Sequence, residues 1–173
     1  MRQAPEAPIM TTSDHEVRAV ASRFYEALNR TLGANDPSRM LELWSHGPEV
    51  SAMHPDGARD LGWRQIKLLH ENWAKHVSGG RIALVAPRIQ MLGDVAILTG
   101  WERGAARLHD EQVHIDARVT LVFHREDAEW RVVHHHVDAV PAVREITRRL
   151  GTQMGADAEG YDTATWSIRY GFV

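Results

Sequence analysis

Between Gln112 and His124 the chain alternates without a break. Val113, Ile115, Ala117, Val119, Leu121 and Phe123 share one parity, and His114, Asp116, Arg118, Thr120, Val122 and His124 share the other. A period of two is the period of a β-strand, whose side chains point alternately to opposite faces of a sheet. One of those faces is wholly apolar here, so the sheet must be covered on that side. There is no cysteine, which leaves neither disulfides nor thiolate-ligated metal to hold the fold. Burial of that row has to do the work, and 173 residues are enough for one domain with a full core.

The cover is supplied upstream. Ser13 or Asp14 can cap a helix that runs to about Leu32 and stops at Gly33, with Val17, Val20, Phe24, Leu28 and Leu32 on one stripe. A short helix around Met40 to Trp44 ends at Gly47-Pro48, and Val50 to His54 reads as a short strand closed by the turn Pro55-Asp56-Gly57. A third helix is predicted from Leu61 to about His76, carrying Trp63, Ile66, Leu69 (or His70) and Trp73, with Ser78-Gly79-Gly80 as its stop. Strands are then expected at 81–92, 95–103 and 112–124, with a loop at 104–110. After the tight turn around Asp127-Ala128 a last strand covers Trp130 to Asp138. Helices first and antiparallel strands afterwards define an α+β layout, helices on one face of a curved sheet.

Charge and composition narrow the function by exclusion. A net charge of −3 gives no footprint for nucleic acid or a membrane surface. No apolar run is long enough for a bilayer or a secretory signal, so a cytoplasmic protein is the default expectation. The glycines form no phosphate loop or dinucleotide fingerprint. The chain is rich instead in His, 11 of them, and has 6 Trp. Imidazole titrates near neutral pH, and indole lines apolar pockets.

The last strand concentrates this chemistry. Trp130, Val132, His134, His136 and Asp138 share one parity. If Arg125 pairs with Trp130 across the turn, Leu121 faces His134, Val119 faces His136 and Ala117 faces Asp138. Directly opposed residues lie on one side of a sheet, so His134, His136 and Asp138 are expected on the covered, apolar side. A bulge in the hairpin would shift the register by one and reverse that conclusion. Polar groups on a covered face need partners. Two imidazoles and a carboxylate in one row are either satisfied core groups or the wall of a pocket, and the convergence favours the pocket.

Several runs carry a family resemblance: Pro48 to Gly57 with its Met53-His54-Pro55-Asp56-Gly57, then Leu61-Gly62-Trp63, then Arg118-Val119-Thr120, and Trp130 to His136. Together they resemble the SnoaL-like branch of the nuclear transport factor 2-like superfamily, over roughly residues 14–140. The resemblance implies a cone: a strongly curved antiparallel sheet wrapped around N-terminal helices, with a pocket at the open end. It does not fix an activity, since the superfamily includes isomerases, dehydratases, hydrolases, cyclases, lyases and assembly domains. The last strand is also similar to that of a kinase association domain, which is not an enzyme. The expected organisation is a loose N-terminus over 1–12, the domain over 13–140, and a C-terminal helix and tail over 141–173 that cover the pocket mouth or a dimer partner.

The leading expectation is cofactor-free acid/base chemistry, of isomerase, dehydratase, cyclase or lyase type, on a small hydrophobic or aromatic hydroxy or keto compound. His134 and His136 are the acid and base, Asp138 orients them, and His54 enters the same cavity. Tyr25, Trp44, Met53, Trp63, Trp73, Trp101 and Leu121 are the candidate walls. One alternative is a divalent metal at His134 and His136 completed by His54 or Asp138. Another is a non-catalytic binding or assembly domain. A homodimer is expected through the outer sheet face, where Arg118, Thr120, Val122, Val133 and Val137 lie. Asp116 and Arg118 are expected to point outward there. His15, His46, His70, His76 and His109 are read as ordinary surface or edge residues.

Overall fold

The computed structural model describes residues 12–154. Its order is α1 (Thr12–Ala34), α2 (Ser38–Leu43), β1 (Ser51–Met53), β2 (Arg59–Leu61), α3 (Trp63–His76), β3 (Val77–Leu92), β4 (Val95–Leu108), β5 (Glu111–Glu126), β6 (Glu129–Val137) and α4 (Pro141–Met154). The six strands make one sheet in the order β2-β1-β6-β5-β4-β3. Every pairing is antiparallel except β1 against β6. The sheet is curved and unclosed, and with the helices on its concave side it has the α+β cone architecture expected from the sequence.

β5 behaves as its alternation requires. All six residues of its apolar row are buried. Val17, Val20, Phe24, Leu28 and Leu32 of α1 are buried in the same core. Thus the strict period-two strand and the 3.6-period helix form the two sides of one hydrophobic core.

The sheet is longer and more bent than the glycines suggested. β3 begins at Val77, directly after α3, so Gly79 and Gly80 lie inside a strand at φ 137° and 115°. β4 does not stop at Arg103. It passes through Gly104, at φ 153°, and runs on to Leu108. A Cβ on Gly104 would overlap the Arg81 carbonyl, and one on Gly80 would overlap Ala105. These glycines let two strands approach and bend where a side chain would hold them apart. They mark curvature, and reading them as loops was the error. β2 was likewise unforeseen: the turn at Pro55 to Gly57 is the tip of a short hairpin, closed by His54 N–H to the Ala58 carbonyl at 2.9 Å.

The β5–β6 hairpin decides the site. Its turn is the expected two-residue one, with Asp127 and Ala128 both at positive φ (47° and 69°) and Arg125 opposite Trp130. Phe123 then pairs with Val132, but Val122 pairs with His134. Val133 is the extra residue of a β-bulge, and from there on the faces of β6 are exchanged. Leu121 opposes His135, Thr120 opposes His136, and Val119 opposes Val137. The expected register therefore fails beyond Val132. His135 and Val137 face the core, whereas His134 and His136 face outward. Because the extra residue belongs to β6, β5 keeps its faces, and Asp116 and Arg118 remain on the exposed side as expected.

Candidate active site

Five elements bring titratable groups to the concave side. β1 runs parallel to β6 with Ala52 opposite His135. His54, two residues beyond Ala52, therefore falls on the same face. Ala52 also pairs with Asp60 of β2, which puts that carboxylate beside His54. The even positions of β4 form an inward row in which Ala96, Leu98, Ala106 and Leu108 are buried, and Glu102 stands in the middle of it, 3% exposed. His70 lies on the buried stripe of α3 with Ile66.

These groups meet in a cavity of about 80 Å³ between the sheet, α1, α3 and α4. His54, His70, Glu102 and His135 line it, with Phe24, Trp44 and Trp73 among its apolar walls and Val143 and Thr147 of α4 at its side. A larger depression of about 910 Å³ lies along α1, α2 and the β5–β6 turn. Its rim mixes acidic residues and arginines and includes no histidine.

Two imidazole–carboxylate pairs occupy the cavity wall. His54 Nε2 lies 3.0 Å from Asp60 Oδ2, and both side chains are about nine-tenths buried. His135 Nε2 lies 3.1 Å from Glu102 Oε1. A carboxylate accepts and does not donate, so in each pair Nε2 carries a hydrogen and Nδ1 is the nitrogen left for a further partner. The Tyr25 hydroxyl donates to the same Glu102 oxygen at 3.0 Å. Burial, and then the Glu102 charge, hold the Tyr25 phenol well above its ordinary pKa, so it remains a donor. The Phe24 ring meets the His135 ring edge-on, with centroids 5.0 Å apart. His70 differs from the other two: burial first, then the nearby His54 and His135, push its pKa down to about 3. It is a neutral imidazole across the working range of pH.

The placement of the sequence candidates is mixed. His54, Trp44 and Trp73 line the cavity, and Tyr25 stands behind it on Glu102. His134 and His136 do not face it, because the bulge turns them outward. His134 Nδ1 meets the Ser51 hydroxyl at 2.8 Å, and its pKa is lowered by partial burial and then by His135 and His136. Asp138 does not orient an imidazole. Arg118 grips it at 2.7 and 3.3 Å, and that hydrogen bond holds its pKa below the usual carboxylate value. Met53, opposite His136, goes outward with it. Trp101 is 39% exposed on the outer face, Trp63 stacks on His46, and Leu121 is sealed in the core rather than in the cavity wall. Of the alternative metal set, His54 is separated from His134 and His136, while Asp138 shares their outward face and is held there by Arg118. Among the described residues no group of three or more His, Cys, Asp or Glu side chains is arranged to hold a metal ion.

Asp60, His70, Glu102 and His135 were missed. Three of them had a signal, His135 through the change of parity between Val132 and Val137. Glu102 shares the parity of Ala96, Leu98, Ala106 and Leu108, and His70 falls four residues after Ile66.

The fold agrees with the comparisons. The chain belongs to the SnoaL-like domain family, whose model matches residues 17–142. Among solved structures it is similar to a candidate dehydratase of the NTF2-like family from Streptomyces avermitilis, with 22% identity over 75% of this chain and 96% of that one, at a TM-score of 0.66. It is also similar to a candidate aromatic ring hydroxylase from Novosphingobium aromaticivorans, with 14% identity, 73% and 87% coverage and a TM-score of 0.63. An NTF2-like superfamily protein from Salmonella enterica shares 27% identity over 71% and 92%, at a TM-score of 0.58. No protein of curated function matches the sequence. Among the described residues no helix is long and apolar enough to cross a membrane.

Proposed function

We propose that the cavity carries out acid/base chemistry on a small hydroxy or keto compound, by proton transfer at the carbon adjacent to a carbonyl group, as in dehydration or isomerisation. The observation that carries this reading is the presence of two imidazole–carboxylate pairs on one apolar cavity. Each carboxylate fixes a tautomer and leaves Nδ1 of its histidine for proton transfer. One imidazole takes a proton from carbon, and the other, as imidazolium, gives one to the departing hydroxyl or to the enolate. The carboxylate behind each ring stabilises the cation that forms. This assigns His54 and His135 the roles first expected of His134 and His136, with Asp60 and Glu102 in place of Asp138. The dehydratase description of the Streptomyces relative supports the same reaction class.

The test is proton exchange and elimination followed by NMR in heavy water, with cyclohexanone and 3-hydroxycyclohexanone as compact probes. The native protein should accelerate α-proton exchange or loss of water. The Glu102→Gln variant should lose about 10²-fold or more of that rate, because His135 loses the carboxylate that fixes its tautomer and stabilises its cation. Equal rates in the native protein and in Glu102→Gln, or no acceleration with either probe, would overturn the reading.

A further inference from the structure

The cavity wall holds two polar atoms with no partner. Among the described residues, the buried side-chain nitrogens and oxygens without a hydrogen bond are Trp44 Nε1 and His70 Nε2. Trp44 is 1% exposed and His70 7%. Both rings line the same cavity, with centroids 6.0 Å apart and planes tilted by 52°. Buried polar groups in native proteins are almost always satisfied, and an orphan asks what completes it. Two orphans side by side at a cavity are a stronger indication than either alone.

Trp44 Nε1–H can only donate. Neutral His70 offers either an N–H or a bare nitrogen at Nε2. A single uncharged oxygen satisfies both: a carbonyl accepts from two donors, and a hydroxyl accepts from the indole while donating to the imidazole. The rest of the lining is mainly apolar, so the remainder of such a ligand is hydrocarbon. A cavity of about 80 Å³ limits it to roughly one ring.

We propose that Trp44 and His70 form an oxygen-binding subsite that anchors the hydroxyl or carbonyl of a compact, uncharged cyclic ligand. This deepens the acid/base reading and rests on it for the word substrate: the anchor would hold the ligand's oxygen while His54 and His135 act on the neighbouring carbons. Neither residue transfers a proton in this scheme. Both are positioning residues.

The experiment is a titration of the native, ¹⁵N-labelled protein with phenol, cyclohexanone and toluene. The Trp44 indole signal is identified by its absence in Trp44→Phe. Phenol and cyclohexanone should each shift that signal and bind at least tenfold tighter than toluene. Trp44→Phe and His70→Phe each keep an aromatic ring at the position and remove the ring nitrogen, so each should abolish the preference for phenol and cyclohexanone while toluene still binds. The His70 Nε2 shift separates the two oxygen types, reporting a bare nitrogen with a hydroxyl and an N–H with a carbonyl. Toluene binding as tightly as phenol, an unmoved Trp44 signal, or no binding by any of the three would overturn the subsite; an unmoved signal would mean that the two nitrogens are served by trapped water only. The comparison of native affinities for phenol, cyclohexanone and toluene stands even if a variant fails to fold. Glu102→Gln should keep the phenol preference while losing turnover. Preference without turnover in the native protein would therefore sink the catalytic reading alone, and turnover without preference would sink the anchor alone.

Discussion

Glu102 is a carboxyl group set into an apolar row, and such a group is tolerated only when its hydrogen bonds are made. Here the Tyr25 hydroxyl and His135 Nε2 both reach one oxygen of it. His70 is the opposite case, a buried imidazole with one nitrogen unserved, and its cost is measurable as pH dependence. Its pKa in the folded chain is about 3, against 6.5 for the free side chain. Above pH 6.5 both folded and unfolded forms are neutral, and no stability is lost. As pH falls below 6.5 the unfolded chain takes up a proton that the folded chain refuses, so stability falls by about 1.4 kcal/mol per pH unit until the folded pKa is reached. Urea unfolding at pH 7 and pH 4.5 should therefore show a loss of roughly 3 kcal/mol in the native protein beyond that seen in His70→Phe, from two pH units at that slope. Equal losses in the two proteins would show that His70 is protonated in the folded chain.

The elements were legible wherever one periodicity ran undisturbed. β5 and α1 were read nearly to their ends because a row of six apolar residues or a helical stripe admits one interpretation. β6 was misread because its pattern changes parity: Trp130 and Val132 are even, Val137 is odd, and only an extra residue between them puts all three inward. That change was visible in the sequence and is the signature of the Val133 bulge. Without it the outward His134 and His136 looked like the site, and the inward His135 did not. The glycines misled for a related reason, since a glycine marks a loop or a bend according to what lies across from it. This distinction can be measured. Gly104→Ala drives a Cβ into the Arg81 carbonyl at a positive φ and should destabilise the fold by about 3 kcal/mol or more, in the range of strained backbone and steric overlap combined. Gly33→Ala lies in helix α1 with nothing within 4 Å of the new carbon and should stabilise it by about 0.5–1 kcal/mol. Denaturation midpoints of the two variants check both signs at once, and a harmless Gly104→Ala would remove the bend as the reason for this glycine.

At the scale of the whole molecule, the helices among the described residues lie on the concave face of the sheet, and the convex face presents exposed side chains. That face carries Trp101, with the Arg103 guanidinium 5.4 Å from its ring. Two ion pairs, Arg103–Asp116 and Arg118–Asp138, lie beside it. Val137, first expected on this face, is buried on the other side by the bulge, while Arg118 and Thr120 remain. An exposed indole among paired opposite charges suits an isologous contact, in which each arginine of one copy can meet an aspartate of the other across a two-fold axis. We propose that this face joins two copies of the chain. Sedimentation velocity at micromolar concentration should give twice the chain mass of 19.5 kDa for the native protein and a shift to the single-chain mass for Trp101→Glu. A native monomer, or a dimer indifferent to Trp101→Glu, would exclude this face as the contact. The cavity should be unaffected by the outcome. Both imidazole–carboxylate pairs and the Trp44–His70 pair come from one chain on the concave side, so the Trp101→Glu monomer should titrate with phenol as the native protein does. If it does not, the two faces of the sheet are coupled, and the curvature set at Gly80 and Gly104 is the physical link between them.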